Sequence, residues 1–486
     1  MRNSKFSWIL YAFFIAFSAS VLLIWKIFPG GSYEMQRIAQ WMLTVGLFAG
    51  AGFALRGELY IQLAGEGGRG VIALPALALI IAAVLLAPMP WVALLEFSYL
   101  VLLSALILLV ALLTSYLSSW GWRLFGAGVA LFCLAYAIFS ADYIAFVWSF
   151  SNRHDFGPGF ANVRLFADMA AGVMPLALLY VVARPHVSWP AAALLSLPLS
   201  VWWWMLWVSE SRAALLGLVL GAAAVLLLFG RSARWPLLTL ALSAMIGLLG
   251  WWFLNPLVGS GAEGERFLRD IASSSGRMAL WGDALRYSLE NFPLGLGPMM
   301  FAGDGNLRSA SAHNLIFNIA AEWGLPLALL LLALLLYASW VIAKRARRLP
   351  EADKPVYACL VMAFVSVMVN VQFAGAHIAP VGSLVLALAT GLALGYSLPA
   401  LGSSASAGRA APAAVPVRAT VLWAALMLLL AYALLAGAEL YWLAADSATT
   451  CFQSLGRAYY YPRFWPQGRL ECMQEIAPNH WLFWRW

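Results

Sequence analysis

The chain has 486 residues, 63% of them hydrophobic and only 10% charged, with a formal net charge of +8. A soluble globular domain is nearer half apolar and a quarter charged, so this composition excludes an ordinary soluble enzyme. The apolar residues fall in blocks of about 18 to 28, enough to cross a hydrocarbon core about 30 Å thick. They lack the alternation of barrel strands, and backbone groups in lipid must pair within their own segment, so the blocks are predicted to be helices. The expected fold is all-α, a polytopic transmembrane helical bundle of about 13 spans.

In chain order, residues 1–254 hold nine predicted spans, at 6–28, 38–55, 70–87, 91–113, 124–148, 163–183, 190–208, 213–229 and 236–253. The first is too long for a cleaved signal peptide, and no small-residue cleavage site follows it. Residues 255–314 form a long, mostly polar segment. Within it Met278, Trp281, Leu285 and Leu289 recur at helical spacing. This predicts an amphipathic helix from Gly276 to Tyr287, lying on the membrane surface. Pro293-Leu294-Gly295-Leu296-Gly297-Pro298 is turn-rich. Residues 315–400 hold three more spans, at 315–343, 356–373 and 380–399. A linker at 401–418, rich in Ala, Ser, Gly and Pro, is expected to be flexible. The last span is expected at 419–442. The tail, 443–486, carries the aromatic runs Tyr459–Trp465 and Trp481–Trp486, which are expected to anchor at the membrane–water interface. Sugar stacking is the alternative.

Orientation follows from the lysine and arginine bias of short loops. With the N-terminus in the cytoplasm, Arg2, Lys5, Arg56, Arg69, Arg123, Arg184, Arg231, Arg234, the cluster Lys344–Arg348, Lys354, Arg409 and Arg418 all face inward. Segment 255–314 and the tail then lie outside, in the periplasm of a bacterial inner membrane. The net positive charge is mostly this anchoring bias and does not point to nucleic acid. Cys133 and Cys359 fall in apolar spans and read as core residues. Cys451 and Cys472 lie in the tail, where an oxidising compartment allows a disulfide. Closing a loop of that size would contribute about 3 kcal/mol. Two free thiols are the other reading.

No phosphate-binding glycine loop, H-E-x-x-H pair or Cys/His metal spacing is present, so neither a cofactor nor a metal site is predicted. Ionisable groups at the outer ends of spans are costly there and are candidates for function. They are Arg164, Arg212, Arg277, Arg286, His313 and His377. Guanidinium forks match phosphate oxygens, and a histidine can take a proton from a hydroxyl near neutral pH. Diphosphate leaves readily, so arginine charge could serve where a metal or general acid otherwise would. The implied chemistry is hydroxyl attack on a sugar carbon with departure of a lipid diphosphate. Asn314, Asn318 and Glu322 share one helix face, which suits either a substrate cavity or an interhelical hydrogen-bond ladder.

Several runs appear in one order: Ser209–Gly217 containing Ser211-Arg212, the Arg277…Trp281 helix, Pro293–Pro298, Ala312-His313-Asn314, and Glu322-Trp323-Gly324. Over about residues 159–382 they resemble the O-antigen ligase/polymerase superfamily of bacterial envelope glycosyltransferases. The resemblance implies a metal-independent transfer of a finished glycan from undecaprenyl diphosphate on the periplasmic face. The acceptor is lipid A–core in ligases, a growing glycan in polymerases, or a protein hydroxyl in O-oligosaccharyltransferases. It implies His313 as base, Arg212 and Arg277 on the diphosphate, and Arg164 at a position shared by part of the family. The appended linker, last span and tail depart from that pattern. A lipid-linked sugar transporter would also need a polar cavity, but no internal repeat or interrupted helix pair is visible. A structural scaffold would not explain basic groups gathered on one side.

Overall fold

The computed structural model describes residues 3–27, 32–54, 70–141, 159–183, 189–254, 276–304, 307, 309–397, 416–455 and 461–484. Segment 401–415 of the expected linker and all of 255–275 lie outside these residues. The helices are α1 (Asn3–Ile27), α2 (Ser32–Ala54), α3 (Gly70–Leu85), α4 (Pro90–Thr114), α5 (Ser119–Phe139), α6 (Val163–Ala177), α7 (Leu179–Val182) and α8 (Trp189–Ser209). They continue with α9 (Arg212–Phe229), α10 (Arg234–Leu254), α11 (Arg277–Glu290), α12 (Leu315–Trp323), α13 (Leu325–Arg348), α14 (Lys354–Asn370), α15 (Pro380–Ser397), α16 (Pro416–Leu455) and α17 (Leu470–Ile476). Among the described residues the β pairing is a single isolated bridge, Tyr461 to Gln467. The fold is all-α and multi-pass.

Eight stretches are long and apolar enough to cross a membrane by length and composition. One of them, Arg212–Phe253, contains both α9 and α10, separated by the 3-10 turn Gly230–Ala233. Three shorter apolar helices, Trp8–Leu23, Pro75–Leu85 and Lys354–Asn370, fall on other expected spans. The expected span at 315–343 is corrected. It is two helices, because Gly324 takes φ 90° and ψ 160°, a region essentially reserved for glycine. The nine residues of α12 are too short to span. The spanning helix here is α13.

The chain divides into two compact units. The first comprises Met1–Leu43, Ile107–Ser275 and Ala338–Leu401. Its centre is α6, where every residue from Phe166 to Ala177 is buried. Trp202 of α8 fills the space beside it, against Phe132, Tyr136 and Phe166. Helix α9 meets α14 through Gly217 and Gly221, a small-x-x-x-small seam that lets two backbones approach closely. A Cβ at Gly217 would collide with the Ser366 carbonyl, and one at Gly221 with Ser366 and Met362.

The second unit comprises Thr44–Leu106, Gly276–Tyr337 and Gly402–Trp486. One apolar cluster joins Ala83, Val84 and Ala87 of α3 to Ala93, Trp323 and Leu327. Another joins Leu280 and Ala284 of α11 to Phe301, Leu307, Ala312 and Ala321. The tail is corrected too. Tyr461, Phe464, Trp465, Leu482 and Phe483 are buried in this unit's core rather than spread at an interface. Trp465 Nε1 donates to the Gly437 carbonyl of α16 at 2.8 Å. Tyr459 and Tyr460 lie outside the described residues.

Candidate active site

His313 ends a short loop that is pinned along its length. The Ala312 N–H donates to Asn318 Oδ1 at 3.1 Å, and the Ala312 carbonyl accepts from Trp281 Nε1 at 3.1 Å. The Trp281 ring also stacks on Phe317, with centroids 5.5 Å apart, so α11 is held against the start of α12. Asn314 caps α12 through Oδ1, which accepts from the Phe317 N–H at 3.0 Å. His313 itself is half-buried. Its Nε2 lies 3.0 Å from Ser309 Oγ, and its φ is +50°. Left-handed backbone is uncommon for a non-glycine residue, and it clusters at functional sites because the surroundings must impose it. Among the described residues only Glu210, Met299 and His313 show it outside glycine. Glu210 lies two residues before Arg212.

Pro293–Pro298 and Glu322-Trp323-Gly324 form one piece of structure. The N–H groups of Leu296 and Gly297 donate to the Ala321 and Glu322 carbonyls, at 2.8 and 3.0 Å. These are the carbonyls that the end of α12 would otherwise leave unpaired. Close approach at Gly295 and Gly324 makes the fit possible, since a Cβ at either would collide with the opposite backbone.

Asn318 and Glu322 are fully enclosed, and each has protein partners. Asn318 Nδ2 donates to Glu322 Oε2 at 3.0 Å, and Glu322 Oε1 accepts from the Phe301 N–H at 3.2 Å. Their geometry is the hydrogen-bond ladder of the two sequence readings. Sequence reasoning missed what completes it. Arg463, from the tail, is 1% exposed and donates to Glu322, to Glu96 of α4 at 3.1 Å, and to Asn318 Oδ1 and the Ala310 carbonyl at 3.3 Å each. Burial pushes the Glu322 carboxyl up to about 7; Arg463 opposes the rise and Glu96 adds to it. A buried cation between two buried carboxylates has no local sequence signature.

Arg277 is the first residue of α11, after Gly276 at φ +78°. Arg286 points elsewhere. It pairs with Asp283 and Glu290 of its own helix, at 3.3 Å each, on an exposed face. Of the expected apolar face of α11, Met278, Leu285 and Leu289 are exposed along one side and Trp281 packs on Phe317, while the buried residues of the helix are Leu280, Ala284 and Ser288.

In the first unit, Arg164, Arg212 and His377 stand at one end. The antiparallel seam of Gly217 and Gly221 against Ser366 and Met362 sets Arg212, the first residue of α9, level with the end of α14. Helix α6 reaches the same end, where Asn370 Nδ2 donates to Asp168 Oδ1 at 2.8 Å. Arg164 is one turn further along. His377 is buried in the turn from α14 to α15. Sequence reasoning also missed Arg37. It is buried, with Nη1 donating to Gln40 Oε1 at 2.7 Å and Nη2 to the Ile378 carbonyl. Gln36 reaches the Gly159 carbonyl, and Gln40 reaches Ser383 Oγ at 2.8 Å. Tyr33, Gln36, Arg37 and Gln40 share one face of α2, a signal that helical spacing could have given.

Each of the four leading residues stands at a helix start: Arg164, Arg212 and Arg277 in the first turn, His313 just before the N-cap. That end of a helix already carries partial positive charge, and a cation there is disfavoured by about 0.3–1 kcal/mol. The pattern suits an anionic ligand. Among the described residues no group of three His, Cys, Asp or Glu side chains is arranged for a metal ion. Residues 191–332 match the family model described as O-antigen ligase.

This stretch belongs to the O-antigen ligase-like superfamily.

The O-antigen ligase region takes in Arg212, Arg277, Arg286, His313, Asn314, Asn318 and Glu322, and is narrower than the resemblance drawn from motifs. Arg164, His377 and Arg463 lie outside it. No curated protein matches the chain. In the tail, Cys472 is disulfide-bonded while Cys133 and Cys359 are free and buried. The side chain of Cys451, the expected partner of Cys472, lies outside the described residues.

Proposed function

We propose that the protein transfers a glycan from undecaprenyl diphosphate to an acceptor hydroxyl at the periplasmic face of the bacterial inner membrane, with lipid A–core as acceptor. The observation that carries this reading is His313. It sits in left-handed backbone at the end of a pinned loop, within the O-antigen ligase match. The acceptor oxygen attacks the anomeric carbon from the face opposite the leaving group, so the reaction inverts. A new C–O bond forms as the bond to the diphosphate breaks. His313 takes the hydroxyl proton, and Arg212 and Arg277 are the residues assigned to the developing diphosphate charge. No step in this scheme calls on a metal. Arg164 is a further candidate for the anion. Arg286, already engaged by two carboxylates, is left out of the site. Asn314, Asn318 and Glu322 are assigned to holding the His313 loop. The exposed apolar side of α11 supports seating of that helix on lipid.

The test is complementation of a deletion strain with wild type, His313→Ala or Arg277→Lys, followed by comparison of its lipopolysaccharide and surface glycoproteins. The expected result is loss of polymer-capped lipopolysaccharide in the deletion, restored by wild type and not by His313→Ala. Arg277→Lys should transfer poorly, because an ammonium cannot reproduce the guanidinium fork. Loss of glycan from a protein instead would make this an oligosaccharyltransferase. Wild-type transfer by His313→Ala would remove the base assignment. No change in either product, in a strain that makes the donor, would overturn the transferase reading.

A further inference from the structure

The C-terminal segment lies beyond the O-antigen ligase match, yet it supplies the cation at the centre of the network beside His313. We infer that Arg463 is a positioning residue for the reaction: the tail clamps the loop that carries His313. This rests on the reading of His313 as the base.

The clamp acts at three points, all in the second unit. At the first, Arg463 Nη1 holds the Ala310 carbonyl, three residues before His313. At the second, it shares Asn318 Oδ1 with the Ala312 N–H, the residue adjoining His313. At the third, Nη2 bridges Glu322 of α12 to Glu96 of α4. The loop's backbone direction therefore depends on one side chain that reaches it from more than 140 residues away in sequence. Only a guanidinium has donors enough, in one plane, for four acceptors.

The tail is itself fixed well enough to act as a support. The Arg463 N–H bonds the Trp465 carbonyl at 3.0 Å, and Gly468 N–H bonds the Tyr461 carbonyl at 2.9 Å, closing a tight loop around the arginine. Arg469 lies over the Tyr461 ring at 3.8 Å. Phe464 and Trp465 pack on α16 at Gly437, where a Cβ would meet the Phe464 ring. Cys472 adds a disulfide.

The experiment uses the full chain, as Arg463→Lys and Arg463→Met, with Arg286→Ala as a surface control. Two readouts are taken. The first is glycan transfer per folded protein in membranes that hold the endogenous donor. A misplacement of about 1 Å costs up to about 100-fold, so Arg463→Met should lose about 10- to 100-fold. Arg463→Lys should recover part of that, with kcat affected and the donor KM unchanged. The second needs no turnover: the rate at which diethyl pyrocarbonate modifies His313 in purified protein, read by peptide mass spectrometry. Loosening the clamp should change that rate in Arg463→Lys and leave it unchanged in Arg286→Ala. Wild-type transfer per folded protein and an unaltered His313 rate in Arg463→Lys would overturn the inference. If His313→Ala keeps full transfer while the modification rate still responds to Arg463, the base assignment falls and the clamp stands. If Arg463→Met does not fold, the lysine variant decides.

Discussion

At the scale of single residues, the site is governed by what burial does to charge. Glu96, Glu322 and Arg463 bring two carboxylates and one cation into a space closed to solvent. Burial raises the Glu322 carboxyl from an ordinary 4.5 to about 7. The folded state therefore keeps a proton that the unfolded chain gives up between those values. The unfolded state binds fewer protons across that window, so this group's contribution makes stability fall as pH rises from about 4.5 to about 7, and adds no further slope above it. In a pH series of thermal unfolding on detergent-solubilised protein, wild type should show this fall, and Glu322→Gln should lack it. Equal slopes for the two proteins would refute the assignment. His313, Arg212 and Arg277 were legible as candidates because a charged or titratable side chain at the end of an apolar block stands out. The polar face of α2 was legible in principle through its spacing. Arg463 was not, since among so many aromatic tail residues an arginine looks like an ordinary interfacial charge. Its acceptors lie in three separate parts of the chain.

At the scale of elements, hydropathy located the apolar helices because length and apolarity are properties of a segment alone. It failed at residues 315–343, where the break depends on a distant loop. Gly324 looks like one of many glycines, but its backbone lies against Pro293, with Gly295 beside the Ala321 carbonyl. Gly324→Ala meets two obstacles, a backbone conformation closed to alanine and a collision with the Pro293 carbonyl. It should cost about 3 kcal/mol or more. The check is the unfolding midpoint and the yield of folded protein; a midpoint equal to wild type would show that the loop can yield. The same packing explains why Pro293–Pro298 and Glu322-Trp323-Gly324 travel together. The loop supplies the donors that the end of α12 requires.

At the scale of the whole molecule, apolar helices make up most of the described chain, and basic residues gather at one set of loop ends. The orientation expected from this bias places α11 outside and the end of α13 inside. Cysteine substitutions at exposed Glu290 and Arg347 test it with a membrane-impermeant maleimide. Glu290→Cys should label in cells with a permeabilised outer membrane, and Arg347→Cys only after lysis. The reverse pattern would invert the topology and remove His313 from the periplasm. The buried Arg463 has a further consequence, for biogenesis. A chain is made from its N-terminus and its parts assemble as they emerge, so Glu96 and Glu322 are in place well before their countercharge has been synthesised. An uncompensated buried charge is among the costliest defects a fold can carry, about 3–5 kcal/mol. A nascent chain halted short of residue 463 therefore cannot close the packing around His313, and it presents quality-control proteases with an unfinished core. Arg463, translated well after the carboxylates it joins, is the residue that commits the packing around His313 to its final shape.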